Sequence, residues 1–391
     1  MSNRRRKSPS RGPAGWENWQ AFSNGSVSVG AFEVALYTDS RVVAEVKQLG
    51  PYQLLNTVPA VWAAQPGYAE LAVVLRVEVH DDHEPDYQRD NWNRADLGSY
   101  HGGTLGDEIA SLIALILGIR MRAGGTTRTF GFLGDDPRGI PGEFEHLRPP
   151  LVPPRRGQPS VLPTIAVDGA LLTDAVPLME TYSRLKIEDA SELVRAARFY
   201  ERAIWNADAD AGIAWLELIS AVEVAAGHWR SHTASDAIDR LRRNAPGLAA
   251  AVDPAGEEIV QAVAREAAHL FGAIDRFVSF LDAHLPPAPE PRPEQLQLDW
   301  TNLGRPFRAI YDRRSDALHR GAPIPWVMCV SPRRTENGAY EEHSGGLGSW
   351  SGGAYWPSTA TPMNLNTFAY VVRGALLSWW KEMAPSAPPD S

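Results

Sequence analysis

The order of apolar and polar positions divides the chain into two stretches of different period. Up to about residue 145 the pattern is mixed. Val27 to Tyr37, Val42 to Val46 and Ala69 to Val79 are rich in valine and alternate or run apolar, which predicts strands. Among them Leu105, Ile109, Leu112, Ile113 and Ile116 recur at helical spacing, and Gly118 closes that helix. The segment Arg120-Met-Arg-Ala-Gly-Gly-Thr-Thr-Arg-Thr-Phe-Gly-Phe132 reads as a strand, a Gly-Gly turn and a second strand. Residues 148 to 159 then hold five prolines, which excludes a helix interior or a central strand and predicts a stiff extended linker.

From about 187 the period changes to that of long helices. Leu193, Ala197, Tyr200 and Ile204 form one stripe, and Ile213, Leu216, Ile219 and Val222 a second that Gly227 ends. One helix is expected from Glu257 to Leu285, with Ile259, Val263, Leu270, Ile274, Phe277, Leu281 and Leu285 in register. Pro286 and Pro287 stop it. Another begins near Pro306, a residue suited to a first turn, and ends at Gly321 and Pro323. A last one covers Leu365 to Met383, with Phe368, Val372, Leu376 and Trp379 on one face.

The expected architecture is therefore α+β. A disordered basic tail (1–20) precedes a mixed α/β domain (21–146) and a Pro-rich linker and connector (147–186). A mainly α-helical domain (187–386) follows, with a loop-rich insertion at about 323–363.

Composition narrows the function. With 391 residues, 44% of them hydrophobic and 22% charged, the chain is long enough for two packed domains. The formal net charge of −9 argues against a protein that coats nucleic acid, yet leaves a local basic cleft open. The single cysteine, Cys329, excludes an intrachain disulfide and suits a reducing cytoplasm. The basic start has no apolar run behind it, so no signal peptide is expected. The longest apolar run, Ile109 to Ile119, falls short of the ~18 residues of a membrane span, so a cytoplasmic protein with no membrane partner is expected.

Candidate chemistry concentrates on the helix after Pro306. Its apolar stripe reads Phe307, Ile310, Tyr311 and Leu318, and Arg314 falls on that stripe. A charge facing a core must be paired. Glu223 lies on the inner face of its own helix, at i+4 from Ile219 and i+7 from Leu216, and is the expected partner. His319 follows Arg314 by five residues, about 140° away on an ideal helix. The spacing also suits a structural or snorkelling arginine and a histidine at a helix end. Elsewhere, His80-Asp-Asp-His-Glu-Pro-Asp86 reads as a hydrophilic loop before a metal site. Gly124-Gly125 lacks the context of a phosphate loop, and Trp350, Trp356, Trp379 and Trp380 suit packing before base stacking.

The string Phe307-Arg-Ala-Ile-Tyr-Asp-Arg-Arg-Ser-Asp-Ala-Leu-His-Arg-Gly321 resembles the Tyr-x-x-Arg-Ser-x-x-x-His-Gly end of the Apea-like HEPN family. So do the upstream Ala197-Arg-Phe-Tyr-Glu-Arg-Ala203 and Trp215-Leu-Glu-Leu-Ile-Ser-Ala-Val-Glu223. The likeness covers about residues 187 to 322 and the final helix. It departs in two places: Arg320 stands between His319 and the glycine, and Gly321 stands where a related toxin group carries a modified tyrosine. The resemblance implies a helical HEPN bundle and a metal-independent endoribonuclease, of the kind used as a toxin or anti-phage defence effector. It implies cleavage by 2′-OH attack, no cofactor, a homodimer, and an antitoxin or other regulatory partner. Arg314 and His319 would be the catalytic pair, supported by Glu223, Tyr311 and Asp316. Arg305, Arg308, Arg313 and Arg320 would hold the RNA backbone, a locally basic helix against only Asp299, Asp312 and Asp316. A HEPN module without activity, serving as a scaffold or binding a nucleotide or partner, is the alternative.

Overall fold

The structure is a computed structural model that describes residues 12–55, 69–80, 100–131, 137–142, 148–154, 156–165, 169–229, 237–239, 241–242, 245–345, 348–351 and 354–385. The chain is α+β, about 50% helix and 16% strand, with the sheet near the N-terminus and most helices after it. It forms two compact units, one of residues up to Asp210 together with Trp380 onward, the other of Ala211–Trp379.

In the first unit, β1 (Gly30–Thr38), β3 (Val46–Leu49), β4 (Tyr52–Leu55), β5 (Glu70–Val79), β6 (Arg122–Phe130) and β7 (Ile140–Pro141) form an antiparallel sheet in the order β3-β4-β5-β1-β6-β7. The short β2 (Val42–Val43) pairs in parallel with β8 (Ala170–Leu171). Alternation decides which face is covered: Val73, Leu75 and Val77 on β5 and Tyr52 and Leu54 on β4 are fully buried. The Gly-Gly turn expected at 124–125 does not form. Both glycines lie inside β6, where the register against β1 slips between Val34↔Thr126 and Leu36↔Ala123, so two glycines face one residue in a bulge.

Helix α1 (Ala14–Ser23) overturns the disordered tail to residue 20; its Trp19 is buried, and the basic run before Gly12 lies outside the described residues. Helix α2 (Leu105–Leu117) begins with a capping box between Thr104 and Asp107 and ends at Gly118 in the left-handed region (φ 67°, ψ 37°). It packs on β6, and Gly106 lets it approach the Val34 side chain closely. After α3 (Val176–Tyr182), α4 (Ile187–Asn206) covers α2 with Leu193, Val194, Ala197 and Ile204, all inaccessible to solvent. Two buried ion networks tie α4 to the sheet. Arg120 bonds Asp39 and Asp208 at 2.8 Å each, and Glu201 takes Arg122 (2.5 Å) and Arg198 (3.0 Å).

Among the described residues the Pro-rich stretch has no helix or strand, and it is docked within this unit. Trp205 Nε1 donates to the Pro150 carbonyl (2.8 Å), Leu151 packs on Ala35, Tyr37, Ala69 and Trp205, and Arg148 bonds the Ala69 carbonyl and Glu70. The division between units accordingly falls after Asp210 rather than at the prolines. The first of the expected long helices belongs with the sheet.

The second unit holds α5 (Ala211–Trp229), α6 (Pro246–Val252), α7 (Glu257–Phe271), α8 (Ala273–Ala283), α9 (Gly304–Arg320) and most of α10 (Leu365–Met383). The single helix expected over 257–285 is broken at Gly272 into α7 and α8, and Ile259 is exposed while Val260 is buried. Trp215, Phe277, Phe280, Phe307 and Phe368 form the core; Trp215 stacks on Phe368 at 4.8 Å and donates to the Met328 carbonyl at 3.0 Å. The insertion carries a small hairpin, β9 (Gly348–Ser351) with β10 (Ala354–Pro357). It is fastened by buried Glu342, which takes Arg292 through both oxygens (2.9 and 2.7 Å) and the Leu298 N–H (2.5 Å). Among the described residues no helix is long and apolar enough to cross a membrane.

Candidate functional site

Helix α9 is anchored by Phe307 and Ile310, both buried against α8 and α5. Gly321 closes it in the left-handed region (φ 66°, ψ 17°), and the Ala322 N–H reaches back to the Asp316 carbonyl at 3.2 Å. Leu318, expected on the apolar stripe, is exposed because the helix outruns the surface it packs on.

The expected Arg314–Glu223 pair is present. Arg314 Nη2 lies 3.0 Å from Glu223 Oε2, and both side chains are about three-quarters buried, at 24% and 25% exposure. Tyr311 completes the group: its hydroxyl donates to the other oxygen, Glu223 Oε1, at 2.9 Å. Its ring leans on Phe277 at 5.2 Å, and the Arg314 guanidinium carbon sits 5.7 Å from the ring centre. Burial, and next the charge of Glu223, push the Tyr311 hydroxyl up to about 12, so it remains a donor. Arg314 Nε is buried and has no partner among the described residues.

His319 is exposed in the last turn and has no hydrogen-bond or ion-pair partner among the described residues. Arg314 and His319 are therefore on one helix end but in different surroundings, one held and half-open, the other solvated.

The arginines expected to hold RNA are mostly engaged. Arg308 pairs with Asp275 at 2.7 Å, and Asp316, expected as a supporting residue, bridges Arg313 and Arg320 at 3.3 Å each. Arg305 is exposed, with no partner among the described residues. Asp275 and Glu223 come from other helices and offset the basic excess that α9 shows in sequence. The Arg320–Asp316 pair, with Arg320 largely exposed, is weak.

A second cluster, in the first unit, is absent from the sequence reading. Glu108 is fully buried on α2 and accepts hydrogen bonds from the Gly15 and Trp16 N–H groups (2.9 and 3.0 Å) and the Tyr182 hydroxyl (2.5 Å). Tyr52 donates to the Gly15 carbonyl at 2.6 Å. Burial raises Glu108 to about 7 against the lowering effect of those donors. Burial, and next Arg198, lower His101 to about 4. Neutral His101, 3.7 Å from Glu108, is thus a neighbour and not an ion-pair partner at neutral pH. A carboxylate inside the apolar stripe of α2 was the available signal.

His80 is buried with Nδ1 2.7 Å from the Ser26 carbonyl, and residues 81–86 lie outside the described residues. Among the described residues no group of three or more His, Cys, Asp or Glu could hold a metal. Trp379 and Trp380 are buried in the core, Trp356 is half-buried, and the Trp350 side chain lies outside the described residues. No family model, no curated protein and no solved structure matches the chain.

Proposed function

We propose that the chain is a HEPN-type endoribonuclease that cuts RNA without a metal, a toxin or defence effector acting in the cytoplasm. The observation that carries this reading is the end of α9. Arg314 is held by Glu223 and Tyr311 with N–H groups to spare, and His319 is exposed and unencumbered five residues on. An arginine fixed in this way can stabilise the charge that gathers on a phosphodiester as the bond pattern changes. An imidazole at the surface can take the proton of a ribose 2′-OH as it attacks phosphorus, or give one to the departing 5′ oxygen. The products are a 2′,3′-cyclic phosphate and a 5′-hydroxyl. One His319 serves one of these transfers, so a second copy of the chain, as a homodimer, would supply the other.

The ion pairs around Arg314, Arg308 and Asp316 favour a second reading, a helical module in which the arginines serve structure and the surface binds a partner. Purified wild type and His319→Ala, incubated with end-labelled RNA, decide between them. The expected result is cyclic phosphate ends from the wild type and a loss of about 10²–10⁴-fold in rate in the variant. Equal cleavage by both, or none by either, gives the scaffold reading its support.

A further inference from the structure

Folding covers most tryptophans, and among the described side chains Trp326 is the one exposed tryptophan, at 61%. A lone apolar side chain at a surface is ordinary. The setting of this one is not. Ile324, Pro325, Val327 and Met328, the two residues on either side of it, are all buried. Pro323 and Pro325 stiffen the approach. Trp326–Met328 is a 3-10 turn, with the Met328 N–H on the Pro325 carbonyl (2.9 Å) and the Cys329 N–H on the Trp326 carbonyl (2.8 Å). Trp215 fixes the turn from the core through the Met328 carbonyl at 3.0 Å. The backbone is therefore pinned while the indole stands in water, so a flat group laid on that face orders little that is not ordered already. The turn follows α9 along the chain, and the seven residues from His319 to Trp326 keep their backbones within about 25 Å of each other.

The local charge selects the occupant. The chain as a whole carries −9, yet from Ala317 to Thr335 it has no Asp or Glu and holds His319, Arg320, Arg333 and Arg334. All four are exposed; Arg320 has only its weak pair with Asp316, and Arg334 uses its Nε on the Gly338 carbonyl. A basic segment without acids attracts phosphates, and an indole face accepts any base that is free to leave its stack. We infer that Trp326 is a stacking platform for an unpaired base, so that the RNA bound beside the end of α9 is single-stranded. The inference rests on the proposed action on RNA and narrows its substrate to strands whose bases are not already stacked in a duplex.

The test uses a fluorescein-labelled 2′-O-methyl oligoribonucleotide, which lacks the attacking hydroxyl and so stays intact. It is titrated with the full chain and read by anisotropy, once as a single strand and once paired with its complement. Trp326→Ser should weaken single-strand binding about tenfold, the worth of one stacked base, and leave duplex binding unchanged. Trp326→Tyr, which keeps an aromatic face, should regain most of the affinity. Four results overturn the inference: no binding by the wild type, equal single-strand affinity in wild type and Trp326→Ser, a loss shared by the duplex, or a loss in Trp326→Tyr as large as in Trp326→Ser. A change of oligomeric state in Trp326→Ser with RNA affinity unmoved also overturns it, and makes the indole a protein contact. The nuclease reading is scored separately, by cleavage of unmodified RNA with wild type and His319→Ala. Single-strand binding through Trp326 in a chain that cuts no RNA removes the nuclease and leaves the platform standing. Cleavage with a strand affinity indifferent to Trp326 does the reverse.

Discussion

Replacing His101 by Gln should reveal a pH dependence of stability that the wild type hides. Glu108 and His101 are buried side by side and moved in opposite directions, the carboxyl up to about 7 from its ordinary 4.5 and the imidazole down to about 4 from 6.5. A raised carboxyl contributes stability that is fully present below 4.5 and is lost as pH rises through about 7. A lowered imidazole contributes stability that is present above 6.5 and is lost as pH falls through about 4. Each gap is worth about 3 kcal/mol at 1.36 kcal/mol per pH unit. Between pH 4.5 and 6.5 the two slopes are opposite and nearly cancel. Without the imidazole only the carboxyl slope remains, so unfolding by urea should show His101→Gln gaining about 3 kcal/mol on the wild type between pH 7.5 and pH 4. Glu108→Gln should show the mirror image, gaining by a similar amount as pH rises from 4 to 7.5. Comparing each variant with the wild type at the same pH removes the contribution of every other titrating group. Two variants that run parallel to the wild type over the whole range would refute the account.

Two further outcomes follow from backbone and side-chain geometry. Gly321→Ala places a side chain at φ 66°, with open space around it, so the cost is backbone strain alone, about 1 kcal/mol of unfolding free energy in a denaturant titration. RNA cleavage should fall further than stability, because that turn carries His319; unchanged cleavage would separate the turn from the site. Glu342→Ala leaves Arg292 and the buried Leu298 N–H without their acceptor and should cost about 2 kcal/mol. Hydrogen exchange should quicken at 296–298 and 340–345 first, and uniform protection would show that the clamp is dispensable.

What could be read from the sequence was whatever a local rule decides. The α2 stripe with its terminal Gly118 follows from period and cap alone, and so does α9 with Gly321. The Arg314–Glu223 pair was legible because each charge sat on an otherwise apolar stripe and needed a counter-charge. The misreadings share one cause, a local signal outweighed by tertiary packing. Gly124-Gly125 is a turn by composition, but β1 holds it in a bulged strand. Gly272 interrupts a stripe that otherwise runs on to Leu285. Trp16, Trp19 and Phe22 mark α1, yet they follow a basic, Pro- and Gly-containing start that masks them. Glu108 and Tyr182 lie far apart in sequence, and only the fold shows that they share a proton-sensitive pocket.

The docked Pro-rich stretch has a consequence for how the chain can be divided. Had it been a loose tether, a cut at 147 would release a self-sufficient helical fragment. Instead, such a fragment would carry α4 stripped of α2, and Leu193, Val194, Ala197 and Ile204 would meet water as one contiguous apolar strip. It would also carry Arg122's and Arg120's abandoned counter-charges, Glu201 and Asp208. A piece with that surface sticks to itself before it reveals any activity. A cut after Asp210 leaves the sheet the helix that was made for it, though the first unit also draws on the chain from Trp380 onward.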